Sequence, residues 1–394
     1  MRTAMIVMAL LLATPAAAQN RSEDEYTRYE LLAPDTASFK IIYDVTAVTP
    51  GAKFYFNPIR KGSIASDESV VDLASGAPLK FEQVSGAAAK EAGLGNADLE
   101  GEYIKVTLAR PVPDGGEQRI RIIKTYKDPK SYFKDGDTIV FDRPLGIKRN
   151  SVVLPPGYEL TSCNIPSQIL EEADGRVGIS FMNMYPGSAP LVVRARPFAK
   201  KAAAPGGAAP APAAETPPRA TPMNRIAVSE RAFQDREIVY FLNDPQTHSF
   251  SLYHDYTETR EGVDSYRNVV RAGSTVSKPS AKNLDTGEAL KVETRKETDG
   301  EVVVISFPAV KKGQSIRLRI EETYTDPARY AVIDGQLMWN RSFGRPKNDI
   351  VLPAGWRVTT SSIPATVSLT ADGRVRLAYL NPRPDSIDVF VKAR

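Results

Sequence analysis

Apolar and polar residues alternate along most of this chain. The runs "YIKVTLA" (103–109), "QRIRIIKTY" (118–126) and "SIRLRIEETY" (315–324) interleave aliphatic or aromatic positions with charged ones. A period of two puts one face of a strand in a core and the other in water. Two further runs, "SFKIIYDVTAV" (38–48) and "SFSLYHDYTET" (249–259), are rich in the aromatic and β-branched residues that suit a pleated surface. Shorter runs follow, among them "TIVFD", "SVVLP", "RVGISFMN" and "LVVRARP", separated by Asp-Gly, Pro-Gly and Pro-Pro turn signals. Asp174-Gly175 and Asp372-Gly373 lie between apolar runs and predict hairpins. No stretch carries a sustained helical stripe. Only "AAAKEAGLG" and "VSERAFQD" have the composition of short helices.

The pattern occurs twice. "RNSVVLPPGYELTSCNIP" from Arg149 matches "KNDIVLPAGWRVTTSSIP" from Lys347, an offset of 347 − 149 = 198. That offset holds without a gap from Thr125/Thr323 to Arg196/Arg394. Upstream, Tyr29 matches Tyr240, an offset of 240 − 29 = 211. The difference, 211 − 198 = 13, places an extra Gly/Ala-rich segment in the first copy near 85–101, read as a surface-loop insertion. A period this long exceeds the 20–50 residues of solenoids and propellers, so each copy is a domain. The expectation is an all-β chain of two tandem homologous antiparallel β-sandwich domains, immunoglobulin-like in style, of about ten strands each. The repeats are set at 19–198 and 226–394. An Ala/Pro-rich linker at 199–225 joins them, and its prolines predict a semi-stiff spacer with the domains as beads unless they share an interface.

The first residues, 1–18, read as a signal peptide. Arg2 precedes an apolar core from Met5 to Leu12 and a small-residue run, Ala16 to Ala18. The core is shorter than the roughly 20 residues that span a bilayer, and no later stretch is long and apolar enough to do so. The expected location is therefore periplasmic or secreted. The formal charge of +4, or +3 without Arg2, is too small and too scattered to point to nucleic acid or anionic lipid. One cysteine, Cys163, cannot form an internal disulfide, so burial alone must hold the domains.

Residues kept in both copies are those that both domains need. Gly51/Gly262, Gly62/Gly273, Gly76/Gly287 and Gly157/Gly355 read as turn positions. Retained polar side chains are Asn57/Asn268, Arg60/Arg271, Asp128/Asp326, Arg143/Arg341 and Asn150/Asn348. Each Asp precedes a proline and is expected to cap its turn. An arginine fork with an amide can recognise a carboxylate or sugar hydroxyls, or it can pin its own loop. With Tyr132 and Tyr330 alongside, Arg143, Asn150, Arg341 and Asn348 form the candidate ligand surface.

Catalytic and metal signals are thin. The two histidines, His248 and His254, occur only in the second copy, and spacing of six along one strand would put them on one face. Asp255 beside His254 suggests a general-base pair, yet no nucleophile elbow accompanies it. Two histidines without a third ligand do not make a zinc site, and "KDGDT" lacks the later ligands of a calcium loop. No cofactor fingerprint is present. In its LPxG turns and amphipathic strands the chain resembles the β-rich accessory domains of exported peptidases and adhesins. It has no H-E-x-x-H helix, so no residue role is carried over. The expected function is that of an exported, non-catalytic binding or scaffold protein of a bacterial-type cell envelope, with an envelope protein or glycan as partner. Trp339, Trp356 and Tyr158 are its candidate sugar-stacking aromatics. A hydrolase with its site in the second repeat, or an accessory subunit of an envelope complex, is the alternative.

Overall fold

The computed structural model describes residues 25–198, 237–297, 300–383 and 385–394. The segment 1–18 read as a signal peptide, the Ala/Pro-rich segment read as a linker and the short helix expected in "VSERAFQD" lie outside these residues. The first repeat opens with β1 (Tyr26–Leu31), β2 (Ser38–Ala47), β3 (Phe54–Ile59), β4 (Ile64–Asp72), β5 (Phe81–Ser85), β6 (Glu102–Thr107) and β7 (Gln118–Lys127). It continues with β8 (Tyr132–Asp135), β9 (Thr138–Leu145), β10 (Arg149–Val153), β11 (Tyr158–Glu171), β12 (Val177–Met182) and β13 (Ala189–Pro197). In the second repeat come β14 (Glu237–Leu242), β15 (Ser249–Glu258), β16 (Ser265–Val269), β17 (Thr275–Asn283), β18 (Lys291–Glu297), β19 (Gly300–Ser306) and β20 (Ile316–Thr325). It ends with β21 (Tyr330–Ile333), β22 (Gln336–Phe343), β23 (Lys347–Val351), β24 (Val358–Leu369), β25 (Val375–Leu380) and β26 (Ile387–Ala393). Among the described residues each repeat has thirteen strands, not about ten. The surplus comes from strands such as β5 and β8, too short to show a period of their own.

Both repeats are β-sandwiches with the same wiring. In the first, β4, β7, β2, β1, β10, β12 and β11 are neighbours in that order, and β11 runs on to pair with β13, which pairs with β9 and β9 with β8. The pairs are antiparallel except β1 with β10 and β14 with β23, which are parallel. The sheet turns back on itself at β11, whose register shifts between Leu160 and Ser162. Phe141 of β9 thereby meets Phe39 of β2 edge-on at 5.3 Å and Tyr29 of β1 at 5.6 Å. A separate three-stranded sheet, β3-β6-β5, has its counterpart in β16-β19-β18. The alternation read from "QRIRIIKTY" is realised in β7, where Gln118, Ile120, Ile122, Lys124 and Tyr126 point inward.

Turn chemistry follows the sequence. Gly157 and Gly355 hold φ of +82° and +77°, a region that costs a side chain about 1–2 kcal/mol. Gly175 and Gly373 (φ +83° and +80°) close the expected hairpins, with the Gly175 amide donating to Glu172 O at 2.9 Å. The 85–101 insertion is not wholly loop, because a single-turn α1 (Gly86–Glu91) begins it, capped by the Ser85 hydroxyl. Gly86 is required there: a Cβ would lie 1.8 Å from Asp98 O.

The repeats are joined directly. β11 pairs antiparallel with β24, and Gln168 Nε2 donates to Ser362 O at 3.2 Å. Arg394 meets Glu171 at 2.8 Å, and the Arg357 guanidinium stacks on the Phe198 ring at 3.5 Å. The shared interface replaces the arrangement of beads. Substituting Gly157→Ala or Gly355→Ala is expected to cost about 1–2 kcal/mol through the left-handed backbone. Gly187→Ala is expected to be neutral, since Gly187 lacks positive φ and has open space around it. Denaturant midpoints of the three variants check this.

Candidate functional site

Of the retained arginines, Arg143 and Arg341 reach over aromatic rings within their sandwiches, whereas Arg60 is exposed and Arg271 part-buried. Arg143 is 7% exposed, and its guanidinium sits over Tyr29, Phe39 and Tyr126 at 5.9, 5.5 and 5.6 Å. Arg341 sits over the matching rings Tyr240, Phe250 and Tyr324 at 5.4, 5.2 and 5.5 Å. Arg143 Nη1 donates to Asp128 Oδ2 at 2.9 Å, and Ser131 and Ser63 hydroxyls donate to the same oxygen. Burial pushes the Asp128 carboxyl up, but the serine bonds and Arg143 bring it below the usual range. Asp128 also accepts from the Lys130 and Ser131 amides, the expected turn cap.

The other candidate ligand residues face inward as well. Asn150 and Asn348 are 1% exposed, and each donates its amide to the carbonyl three residues earlier, Ile147 O at 2.7 Å and Arg345 O at 2.8 Å. Tyr132 and Tyr330 are fully buried, with hydroxyls donating to Leu32 O and Asn243 O. These contacts tie each loop to its own domain and do not converge on a shared surface. Of the sugar-stacking candidates Trp339 is fully buried, and Trp356 and Tyr158 are half-buried against the core.

Beside each arginine the repeats differ in charge. Lys124 of β7 occupies the position of Glu322 in β20, and both are buried. The retained asparagine serves both partners through opposite ends of its amide. Asn57 Oδ1 accepts from Lys124 Nζ, whereas Asn268 Nδ2 donates to both Glu322 oxygens at 3.0 and 2.8 Å. A second exchange accompanies the first. Arg329 stands where Ser131 does and lies 3.6 Å from Asp326. Burial and the neighbouring Arg143 pull the Lys124 ammonium down to about 7. Burial raises Glu322 against the bonds from Asn268 and Tyr324 and the charge of Arg341. Period two puts both residues in phase with the apolar positions of their strands, which marks them in the sequence as inward-facing charges.

The histidines do not form a catalytic constellation with Asp255. His254 is 1% exposed and faces the Tyr266 ring edge-on at 5.7 Å. Asp255 leaves the opposite face of β15, where Arg319 grips it with bonds of 2.8 and 2.9 Å. Asp44 and Arg121 repeat that pair in the first domain. His248 is not on the strand: it ends a 3-10 turn at φ +52°, with Nδ1 2.9 Å from Tyr330 O. Burial pushes the Cys163 thiol up, and its sulfur donates to Ile165 O at 3.2 Å. Among the described residues no group of three His, Cys, Asp or Glu side chains is placed to hold a metal ion.

An open groove of about 320 Å³ lies on the outer face of the second repeat. Phe241, Ser251, Tyr253, Lys278, Glu321 and Thr323 line it. Phe241 and Tyr253 are half-buried, with rings 6.1 Å apart, and Arg319 stacks on Tyr253 at 4.1 Å. Lys278 is held at φ +50° in the bulge of edge strand β17. In the first repeat Glu30 and Ile42 occupy the positions of the two rings.

No protein-family model and no curated protein matches the sequence. The chain is similar in part to an M1 zinc metallopeptidase from Deinococcus radiodurans, at 13% identity and a TM-score of 0.29, covering 44% of this chain and 41% of that one. It is similar also to an aminopeptidase N family protein from Idiomarina loihiensis, at 12% identity and a TM-score of 0.26, covering 39% and 29%. The chain thus spans less than half of these peptidases, and none of their properties is carried to it.

Lys124 makes stability depend on pH. Below about pH 7 the amine is charged in folded and unfolded chains alike, and its burial cost stands in full. Between about 7 and 10.5 the unfolded chain binds a proton that the folded chain does not, so stability rises with pH. Lys124→Met is expected to remove that rise, so that the variant's stability relative to the parent is more favourable at pH 6.5 than at pH 9.5. Denaturant midpoints at pH 6.5 and 9.5, followed by circular dichroism, check this.

Proposed function

We propose that the chain is an exported, non-catalytic binding or scaffold protein of a bacterial-type cell envelope, and that it takes a glycan on the outer groove of its second repeat. The observation that carries this reading is the Phe241–Tyr253 pair. The two rings open onto a groove whose rim supplies an ammonium, a carboxylate and hydroxyls. Aromatic faces stack on the apolar face of a sugar ring while such groups bond its hydroxyls. The inward-facing side chains of Arg143, Asn150, Arg341 and Asn348 then hold the sandwiches in shape. The first repeat, without the aromatic pair, acts as the scaffold half. Export rests on the leader-like residues 1–18.

Titration calorimetry with soluble cell-wall oligosaccharides tests the reading. Binding by the unaltered chain is expected, with Phe241→Ala and Tyr253→Ala each weakening it about tenfold, as loss of one stacking face implies. Both side chains lie outside the core, so both variants should keep the parent circular dichroism spectrum. Absence of binding, or equal binding by the double variant, would contradict the proposal.

A further inference from the structure

The junction between the repeats has a symmetry that its sequence position does not require. Cys163 pairs with Val367, Ser167 with Ala365, and Ile169 with Ser361. Under the 198-residue offset Ser361 is the counterpart of Cys163, and Val367 that of Ile169. The first and third pairs are therefore one contact seen from either side, and Ser167 opposite Ala365, its own counterpart, marks a local two-fold axis. Contacts in which i meets j and j meets i define the isologous interface of a two-fold homodimer.

The side chains agree with this. Cys163, Ser167, Ile169, Ser361 and Ala365 are fully buried, and Val367 is 2% exposed. Local bonding repeats too: Cys163 Sγ bonds Ile165 O and Ser361 Oγ bonds Ile363 O, the carbonyl two residues on in each case. Small side chains at the axis let the strands cross closely, with Ile169 and Val367 filling either side.

We infer that this face is a self-complementary association surface, that the chain is in effect a fused homodimer, and that the face takes a second copy of the chain when its own sister repeat is removed from it. The segment between Phe198 and Glu237 raises the local concentration of the two faces but is not needed to hold them together.

Two arms test this in the full chain, each read by light scattering after size exclusion. In the first, a protease site is placed within residues 199–225 and cut. The halves are expected to co-elute at the mass of the intact chain, and separation at micromolar concentration would overturn the inference. In the second, Ser167→Arg blocks the first repeat's face and leaves the β24 face vacant. A doubled mass is expected, whether or not the first repeat stays folded, and adding Ala365→Arg should abolish it. A Ser167→Arg chain that remains monomeric would contradict self-complementarity even if the cut halves stay together.

Discussion

A strand edge left unpaired is a liability, and β11 is where this protein resolves it. One end of the strand pairs with β13 and the other with β12, so it joins the two halves of its own sandwich. Between those ends it meets β24, the same strand of the other repeat. Moving β11 would therefore disturb the first sandwich and its seat on the second together. The small residues at Ser167 and Ala365 make the approach possible, and the shift at Leu160/Ser162 supplies the bend. The outer edges are handled otherwise. β4 and β17 each break register, with Asp67 and Lys278 at positive φ, which spoils the edge for further pairing.

Inside each sandwich an arginine does comparable work. Arg143 and Arg341 come from β9 and β22, and the rings beneath them come from three strands of the facing side. A guanidinium is weakly hydrated and planar, so it tolerates such a cage better than an ammonium would. The neighbouring position is lysine in the first repeat and glutamate in the second, with the same amide beside it. Asparagine can donate or accept, so one residue type satisfies either charge.

The architecture was legible because its signals are local. Alternation in "QRIRIIKTY" marks β7, positive-φ glycines mark turns, and the two offsets delimit the repeats. The junction was not legible, since "SCNIPSQIL" reads as one more amphipathic strand and nothing in it says which edge it will meet. The caged arginines are legible as retained residues but not as interior ones, because the lysines and arginines flanking them have the composition of a solvated loop. Two of the three rings beneath each lie about a hundred residues away in sequence, and only Tyr126 or Tyr324 is near. Phe241 and Tyr253 are not legible for the opposite reason. They are not shared by the repeats: Glu30 and Ile42 stand in their places, so they are absent from the residues that both copies keep.

Two like sandwiches are locked across a two-fold strand crossing between β11 and β24. The most direct test of that crossing is a disulfide at the axis. In a Cys163→Ser background, which copies Ser361, the double variant Ser167→Cys/Ala365→Cys places two thiols on directly opposed residues. Mild oxidation should form one intrachain bond in nearly every molecule, seen as a shift on non-reducing electrophoresis. Two thiols that remain reduced and open to alkylation would contradict the crossing.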